Sequence, residues 1–315
     1  MSRSARTLAG VLLLLLPLSL LGCQRAPADN EQASGAILVV STTTMLADLV
    51  AVLGGNAVDS RSIIAVGSDP HLYQPLPADA MLIARSGLVV RNGLHLEGWI
   101  DDLLANAGGV RALVTASDGV DTIEAGGAVD PHFWFDASLW KVAAGNVHEG
   151  LRGVIPAEEH DALQTRLRAF EARCDVLHQW ATEQVQSLPE AQRVLVTSHD
   201  AFAYFGRAYQ MDVHAVQGIS TQQEASQRDV LDVISVVRER HLPAVFGETS
   251  VSAALIEQVA RQTDAELLGP LYSDSLGTPE SDAATWEDMF IYNVCAIING
   301  LGGECAPPQV QAGGE

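Results

Sequence analysis

Two Asp-Pro-His tripeptides, Asp69-Pro70-His71 and Asp130-Pro131-His132, carry the clearest chemical signal in this 315-residue chain. Proline fixes its own φ and drives the residue before it towards an extended conformation, so each imidazole is presented from a stiff turn. Stiffness lowers the ordering cost of a ligand, which is what a preformed metal site requires. Asp-Pro is also a common turn starter, and one copy alone reads as an ordinary surface turn. Two copies, with further donors downstream, point instead to a shared metal. Those donors are His199, in Thr197-Ser198-His199-Asp200, and Asp274, in Leu271-Tyr272-Ser273-Asp274. Neutral imidazole suits zinc, copper, nickel and iron, and a carboxylate adds hardness that manganese accepts. Three histidines and one aspartate fill a tetrahedral Zn²⁺ site; a bidentate carboxylate would give Mn²⁺ five donors. A helix beginning at His199 is expected to keep that imidazole neutral, and metal affinity is expected to fall steeply below about pH 6.

The elements that must position these donors read as α/β. Ile37–Val40, Ser62–Val66, Leu88–Val90 and Ala112–Thr115 read as strands, alternating with helices at Met45–Leu53, Ala78–Arg85, Leu96–Asn106 and Ala137–Arg152. Such alternation predicts a parallel sheet with helices on its faces. Pro156, Glu158 and Glu159 suit a helix start. Leu163, Leu167, Phe170, Cys174, Leu177 and Ala181 then recur at steps of four and three, one apolar stripe ending near Leu188-Pro189. A helix of about thirty residues spans roughly 45 Å and reads as a spine between two lobes. Beyond it, strands are expected at Arg193–Thr197, Asp212–Val216, Ala244–Gly247 and Ala265–Leu268, with helices near Ala201–Tyr209, Ser226–Arg240, Ala253–Thr263 and Ala283–Gly300. The expected organisation is an N-terminal α/β lobe over residues 36–152, a backbone helix over 153–190, a C-terminal α/β lobe over 191–306 and a tail over 307–315. Ligands in open α/β sheets sit at the carboxyl ends of strands, so two donors from each lobe would meet in the cleft.

Arg3 and Arg6 precede an apolar stretch, Leu8 to Leu21, that fits an export signal over residues 1–22. Its ending, Leu20-Leu21-Gly22-Cys23, resembles a bacterial lipobox, which would lipidate Cys23; an ordinary signal with a chance cysteine is the other reading. Residues 23–35 then form a polar tether, and the protein is expected on the extracytoplasmic or periplasmic side of a membrane. Removing residues 1–22 leaves 16 basic against 39 acidic residues, a net charge of −23, which excludes a nucleic-acid partner. Export permits a disulfide, and Cys295–Cys305 is the favoured pair because Gly300, Gly302 and Gly303 let the chain turn back. Cys174 falls on the apolar stripe as a buried thiol. With no Cys-x-x-Cys, a thiolate zinc site is not indicated.

The remaining histidines have ordinary readings. His160 and His178 lie off the stripe of the long helix, His148 and His241 near solvated helix ends, His214 within a strand as a core group, and His95 on a loop as a reserve ligand. Glu248, at a strand end, either orients a ligand, replaces one, or serves as a helix N-terminal acid. No His-Glu-x-x-His, Gly-x-Ser-x-Gly or phosphate loop is present, so no catalytic residue and no enzyme activity is expected.

The segments SDPHLYQPLPAD, VDPHFWFD, VTSHDAFAYFG, QGISTQQEAS, VFGETSV and LYSDSLG, in this order over roughly residues 37–301, resemble TroA-like receptors. These are the zinc- and manganese-binding solute receptors of bacterial ABC importers. The resemblance implies two α/β lobes on a rigid backbone helix and one divalent ion, Zn²⁺ or Mn²⁺, in the cleft. It places His71, His132, His199 and Asp274 at the family's four ligand positions. Histidine rather than glutamate at the third position resembles zinc receptors and those that take both metals. Only Glu124–Val129 precedes the second Asp-Pro-His, where many zinc receptors carry a long His-rich acidic loop, and this weakens a zinc-only assignment. The implied partners are an importer permease and its ATPase, for a monomer held to the membrane through Cys23. A surface adhesin or metal buffer without a transporter would have the same fold and site.

Overall fold

Short runs of Val, Ile and Leu form two parallel sheets. In the first, β1 (Ile37–Ser41), β2 (Val58–Ser62), β3 (Leu88–Arg91) and β4 (Ala112–Thr115) lie in the order β2-β1-β3-β4. A small antiparallel hairpin, β5 (Glu124–Ala125) and β6 (Ala128–Val129), follows. In the second sheet, β7 (Val194–His199), β8 (Asp212–Gln217), β9 (Ala244–Glu248) and β10 (Glu266–Leu271) lie in the order β10-β9-β7-β8. Numbered within its own half, each sheet therefore reads second-first-third-fourth, the same plan twice. The computed structural model describes residues 35–308 apart from 110 and 126; the expected export segment, Cys23 and nearly all of the tether lie outside the described residues, as does the tail from 309.

Helices α1 (Thr44–Gly54), α2 (Pro77–Arg85), α3 (Ile100–Ala107) and α4 (Ala137–Arg152) accompany the first sheet; α6 (Ala203–Tyr209), α7 (Gln227–Glu239), α8 (Ala254–Gln262) and α9 (Trp286–Gly300) accompany the second. Between them runs α5 (His160–Ser187), 28 residues, or roughly 42 Å at the usual helical rise. Of the expected stripe, Leu163, Leu167, Cys174, Leu177 and Ala181 are buried and Phe170 is partly buried, while Val185 extends the buried face. Side-chain caps start several helices, with Thr43 accepting from the Leu46 amide and Asp136 from the Ser138 amide. Arg166 of α5 donates to the carbonyls of Leu53 and Gly54, satisfying the end of α1.

One apolar cluster joins both halves. It includes Val39, Leu49, Trp134 and Trp140 from the first, Leu163 and Leu177 of α5, and Phe202, Phe246, Trp286 and Phe290 from the second. Phe135 stacks on Phe202 with centroids 4.3 Å apart, and Trp140 stacks on Trp286 at 5.7 Å. Hydrogen bonds cross at the same level: Trp134 Nε1 donates to the Ser273 carbonyl at 2.9 Å and Trp286 Nε1 to the Trp134 carbonyl at 3.0 Å. Cys295 and Cys305 form a disulfide, and Cys174 is buried and free, as expected.

Two elements differ from expectation. The second strand is Val58–Ser62, not Ser62–Val66. As an edge strand it needs no continuous apolar run, and the apolar Ile63-Ile64 pair instead plugs the sheet's carboxyl end, both side chains buried. Helix α3 begins at Ile100, not Leu96, because Leu94 and His95 adopt positive φ (53° and 63°). Buried Glu97 holds that loop by accepting the amides of Asn92 (2.6 Å) and Gly93 (3.1 Å) and the Thr42 hydroxyl (2.5 Å).

Candidate metal centre

All four predicted donors end strands or follow them at the carboxyl edges of the sheets. His71 lies in the loop after β2, His132 follows the β5–β6 hairpin, His199 is the last residue of β7, and Asp274 follows β10. In each Asp-Pro-His turn the aspartate closes the turn on the histidine. Asp69 Oδ1 accepts the His71 amide at 2.8 Å, and Asp130 Oδ1 accepts the His132 amide at 2.8 Å. This Asx closure, added to the proline, is why the tripeptide holds its imidazole rigidly.

The four side chains converge. They are buried, and one donor atom from each lies within 4.8 Å of all the others. His71 Nε2 and His132 Nε2 are 3.3 Å apart, and Asp274 places Oδ1 3.4 Å from His132 Nε2 and Oδ2 3.4 Å from His199 Nε2. A tetrahedral ion with donors about 2.0–2.1 Å away needs donor separations of about 3.3–3.4 Å, so these edges already have the size of a zinc polyhedron. His199 Nε2 and Asp274 Oδ1 are buried without a hydrogen-bond partner, an arrangement a cation would satisfy.

A second layer of carboxylates backs the imidazoles. Asp130 Oδ1 also lies 2.7 Å from His132 Nδ1. Glu248 does the equivalent for His199, with Oε1 accepting its amide at 2.8 Å and Oε2 lying 2.5 Å from Nδ1. Glu248 is thus an orienting residue rather than a fifth donor or a helix-end acid. Ser250 donates to Asp274 Oδ2 at 3.0 Å. Carboxylates behind ligating imidazoles fix the tautomer and raise donor basicity. Two further groups steady the His132 turn: Asn92 Nδ2 donates to the Pro131 carbonyl at 3.1 Å, and the Tyr204 hydroxyl donates to the Asp130 carbonyl at 2.8 Å.

The charge states depart from expectation. His199 does not open a helix, and it is not kept neutral. Burial opposes its charge, but Glu248 and Asp274 outweigh that and hold its pKa well above the usual histidine value. For His132 burial is likewise overcome, by Asp130 and Asp274, and its pKa is carried up to about 9. Asp274 stays ionised: burial opposes this, yet His199 and His132 hold it well below the usual carboxylate range. His71, with no carboxylate behind its ring among the described residues, is pushed down to about 3 by burial.

The other histidines stay outside the cluster. His95 is exposed on its positive-φ loop and lines the cleft without joining the donors. His148 is buried rather than solvated, its Nδ1 3.1 Å from Glu149, because α4 turns that face towards the core. His214 is half-exposed beside Asp212 rather than a core group, since β8 is an edge strand. Asn92 and Ser250 were not singled out from the sequence, and Asp130 was named only as part of its tripeptide.

Comparison with known proteins follows the same lines. The chain is 34% identical over 283 residues (87% of this chain, 92% of the other) to the zinc-binding protein TroA of Treponema pallidum (strain Nichols). It is 31% identical over 293 residues (90% and 95%) to the manganese-binding lipoprotein MntA of Bacillus subtilis (strain 168). The solved structure of the periplasmic zinc-binding protein TroA from Treponema pallidum superposes with a TM-score of 0.80 at 33% identity, covering 85% of this chain and 99% of that one. Residues 39–300 match the family described as zinc-uptake complex component A, periplasmic, and the chain belongs to that family.

Proposed function

We propose that this protein is an extracytoplasmic receptor that binds one Zn²⁺ or Mn²⁺ through His71, His132, His199 and Asp274 and delivers it to an ABC importer permease. The observation that carries this reading is the buried donor cluster, with all four donor atoms within 4.8 Å of one another and three of their contacts at 3.3–3.4 Å. Four protein donors leave no open position for an activated water, so the site serves capture and transfer rather than catalysis. Lipid on Cys23 would hold a monomeric receptor beside its permease and ATPase. A continuous core beneath the cleft disfavours wide opening, so the bound and free states differ by small loop movements.

Calorimetric titration of the metal-stripped protein, residues 24–315, with Zn²⁺ and Mn²⁺ tests the reading. Tight one-to-one binding is expected, weakened more than about a hundredfold in His132→Ala. Comparable affinity for both ions would assign a dual receptor, and tight zinc with negligible manganese a zinc receptor. Absence of stoichiometric binding by either ion would overturn the proposal.

A further inference from the structure

The four donors are not held alike. His132, His199 and Asp274 are each backed by a side chain close in their own half: Asp130, Glu248 and Ser250 respectively. Among the described residues no carboxylate backs His71 Nδ1, and His71 alone of the four lines a cavity of about 350 Å³ at the cleft, with Leu94, His95, Asp200 and Gln222. Trp99 of its own half donates from Nε1 to the Pro70 carbonyl at 3.3 Å, and the ties to the backbone of His71 beyond that turn come from the opposite half. The Thr221 hydroxyl donates to Asp69 Oδ2 at 2.6 Å, while Oδ1 of the same carboxylate accepts the His71 amide. Gln222 Nε2 donates to the His71 carbonyl at 2.7 Å. Both backbone groups of the histidine are thus tied, one through Asp69 and one directly, to a single loop after β8.

That loop is itself braced. Gln217 Nε2 donates to the carbonyls of Thr221 (3.0 Å) and Gln223 (2.9 Å). Gln217 also pairs with His199 in the β7–β8 ladder. One residue therefore links the strand that carries His199 to the loop that restrains His71.

We propose that Thr221 and Gln222 are positioning residues that latch the His71 turn across the cleft and set how fast the ion leaves. The inference rests on the reading of the cluster as the metal site. With the latch closed, the ion has four donors. With it open, the His71 turn is free to draw back towards the cavity, leaving His132, His199 and Asp274, and the ion departs through the cavity that only His71 borders. Release then follows the breaking of two hydrogen bonds rather than the parting of two lobes. A permease that competes for Thr221 or Gln222 would trigger it.

The test is stopped-flow release of Zn²⁺ from loaded protein into excess chelator, with wild type, Thr221→Val, Gln222→Met and Thr221→Ser. Loss of one such hydrogen bond is expected to speed release about tenfold in Thr221→Val and in Gln222→Met, with association changed less than about twofold. Thr221→Ser, which keeps the hydroxyl, is expected to return release to the wild-type rate. Amide exchange in metal-free Thr221→Val should rise at residues 69–72 and stay unchanged at 130–133, which general loosening would not produce. Release within about twofold of wild type in both Thr221→Val and Gln222→Met, in protein that binds one zinc, would overturn the latch. Equal acceleration in Thr221→Ser would overturn the role of the hydroxyl. Failure of wild type to bind zinc would instead refute the metal-site reading on which the latch depends.

Discussion

Raising the pH from 7 to 9 is expected to tighten zinc binding by at least about fiftyfold, because the metal-free site holds protons where the ion must bind. With its pKa carried up to about 9 by Asp130 and Asp274, His132 is expected to hold at pH 7 a proton that zinc must displace. Each pH unit below the pKa costs about 1.36 kcal/mol, so two units cost about 2.7 kcal/mol, or about a hundredfold in affinity against a fully deprotonated ring; half protonation at pH 9 leaves a gain of about fiftyfold. His199, also held well above the usual histidine value, adds a second proton and steepens the dependence. Calorimetry at pH 7 in buffers of different protonation enthalpy counts the protons directly, and between one and two per zinc are expected. Chelator competition at pH 7, 8 and 9 gives the matching slope. Zero proton release together with flat affinity across this range would refute the assignment of protonated histidine to the metal-free site.

The remaining predictions concern single residues. Glu248→Gln keeps an acceptor for the His199 amide but removes the charge beside Nδ1; zinc affinity at high pH should fall about 10- to 100-fold and proton release at pH 7 should drop, by the same calorimetry. Asp48 accepts the Trp286 amide at 2.9 Å and is raised to about 6 by burial, with Asp288 and Glu287 adding to the effect. Its folded pKa exceeds the reference 3.8, so ionising it penalises the fold above pH 6 and not below 3.8. Asp48→Asn should therefore stabilise the protein by about 1–3 kcal/mol at pH 7.5, a gain lost by pH 4 in urea melts. The disulfide closes a loop of sequence separation 10, and replacing both cysteines with serine should cost about 2–3 kcal/mol in the same melts without changing zinc stoichiometry.

The clustered His and Asp side chains and the frame were legible in the sequence because both follow local rules. A repeated Asp-Pro-His is visible as text, strand-helix alternation survives in short apolar runs, and the stripe of α5 recurs along one stretch of chain. What was not legible depends on partners distant in sequence. Polar Val58–Ser62 becomes a strand only because Ile37–Ser41 lies beside it as an edge. Glu97 delays α3 because it is drawn to Thr42 and Asn92. The charge of His199 depends on Glu248, 49 residues away, and the hold on His71 on Thr221, 152 residues from Asp69.

The shared apolar cluster beneath the cleft also governs when an ion can be kept. Trp134 from the first half shares a cluster with Phe202, Trp286 and Phe290 from the second, so the two halves share one interior besides the smaller cluster each keeps to itself. Each half contributes two donors, and two donors enclose far less of an ion than four. A half-made or misassembled chain offers His71 and His132 without the opposing pair and without Thr221, and lets go of whatever it touches. If the cluster is the metal site, tight capture would then depend on completed folding, since only a finished chain brings all four side chains together.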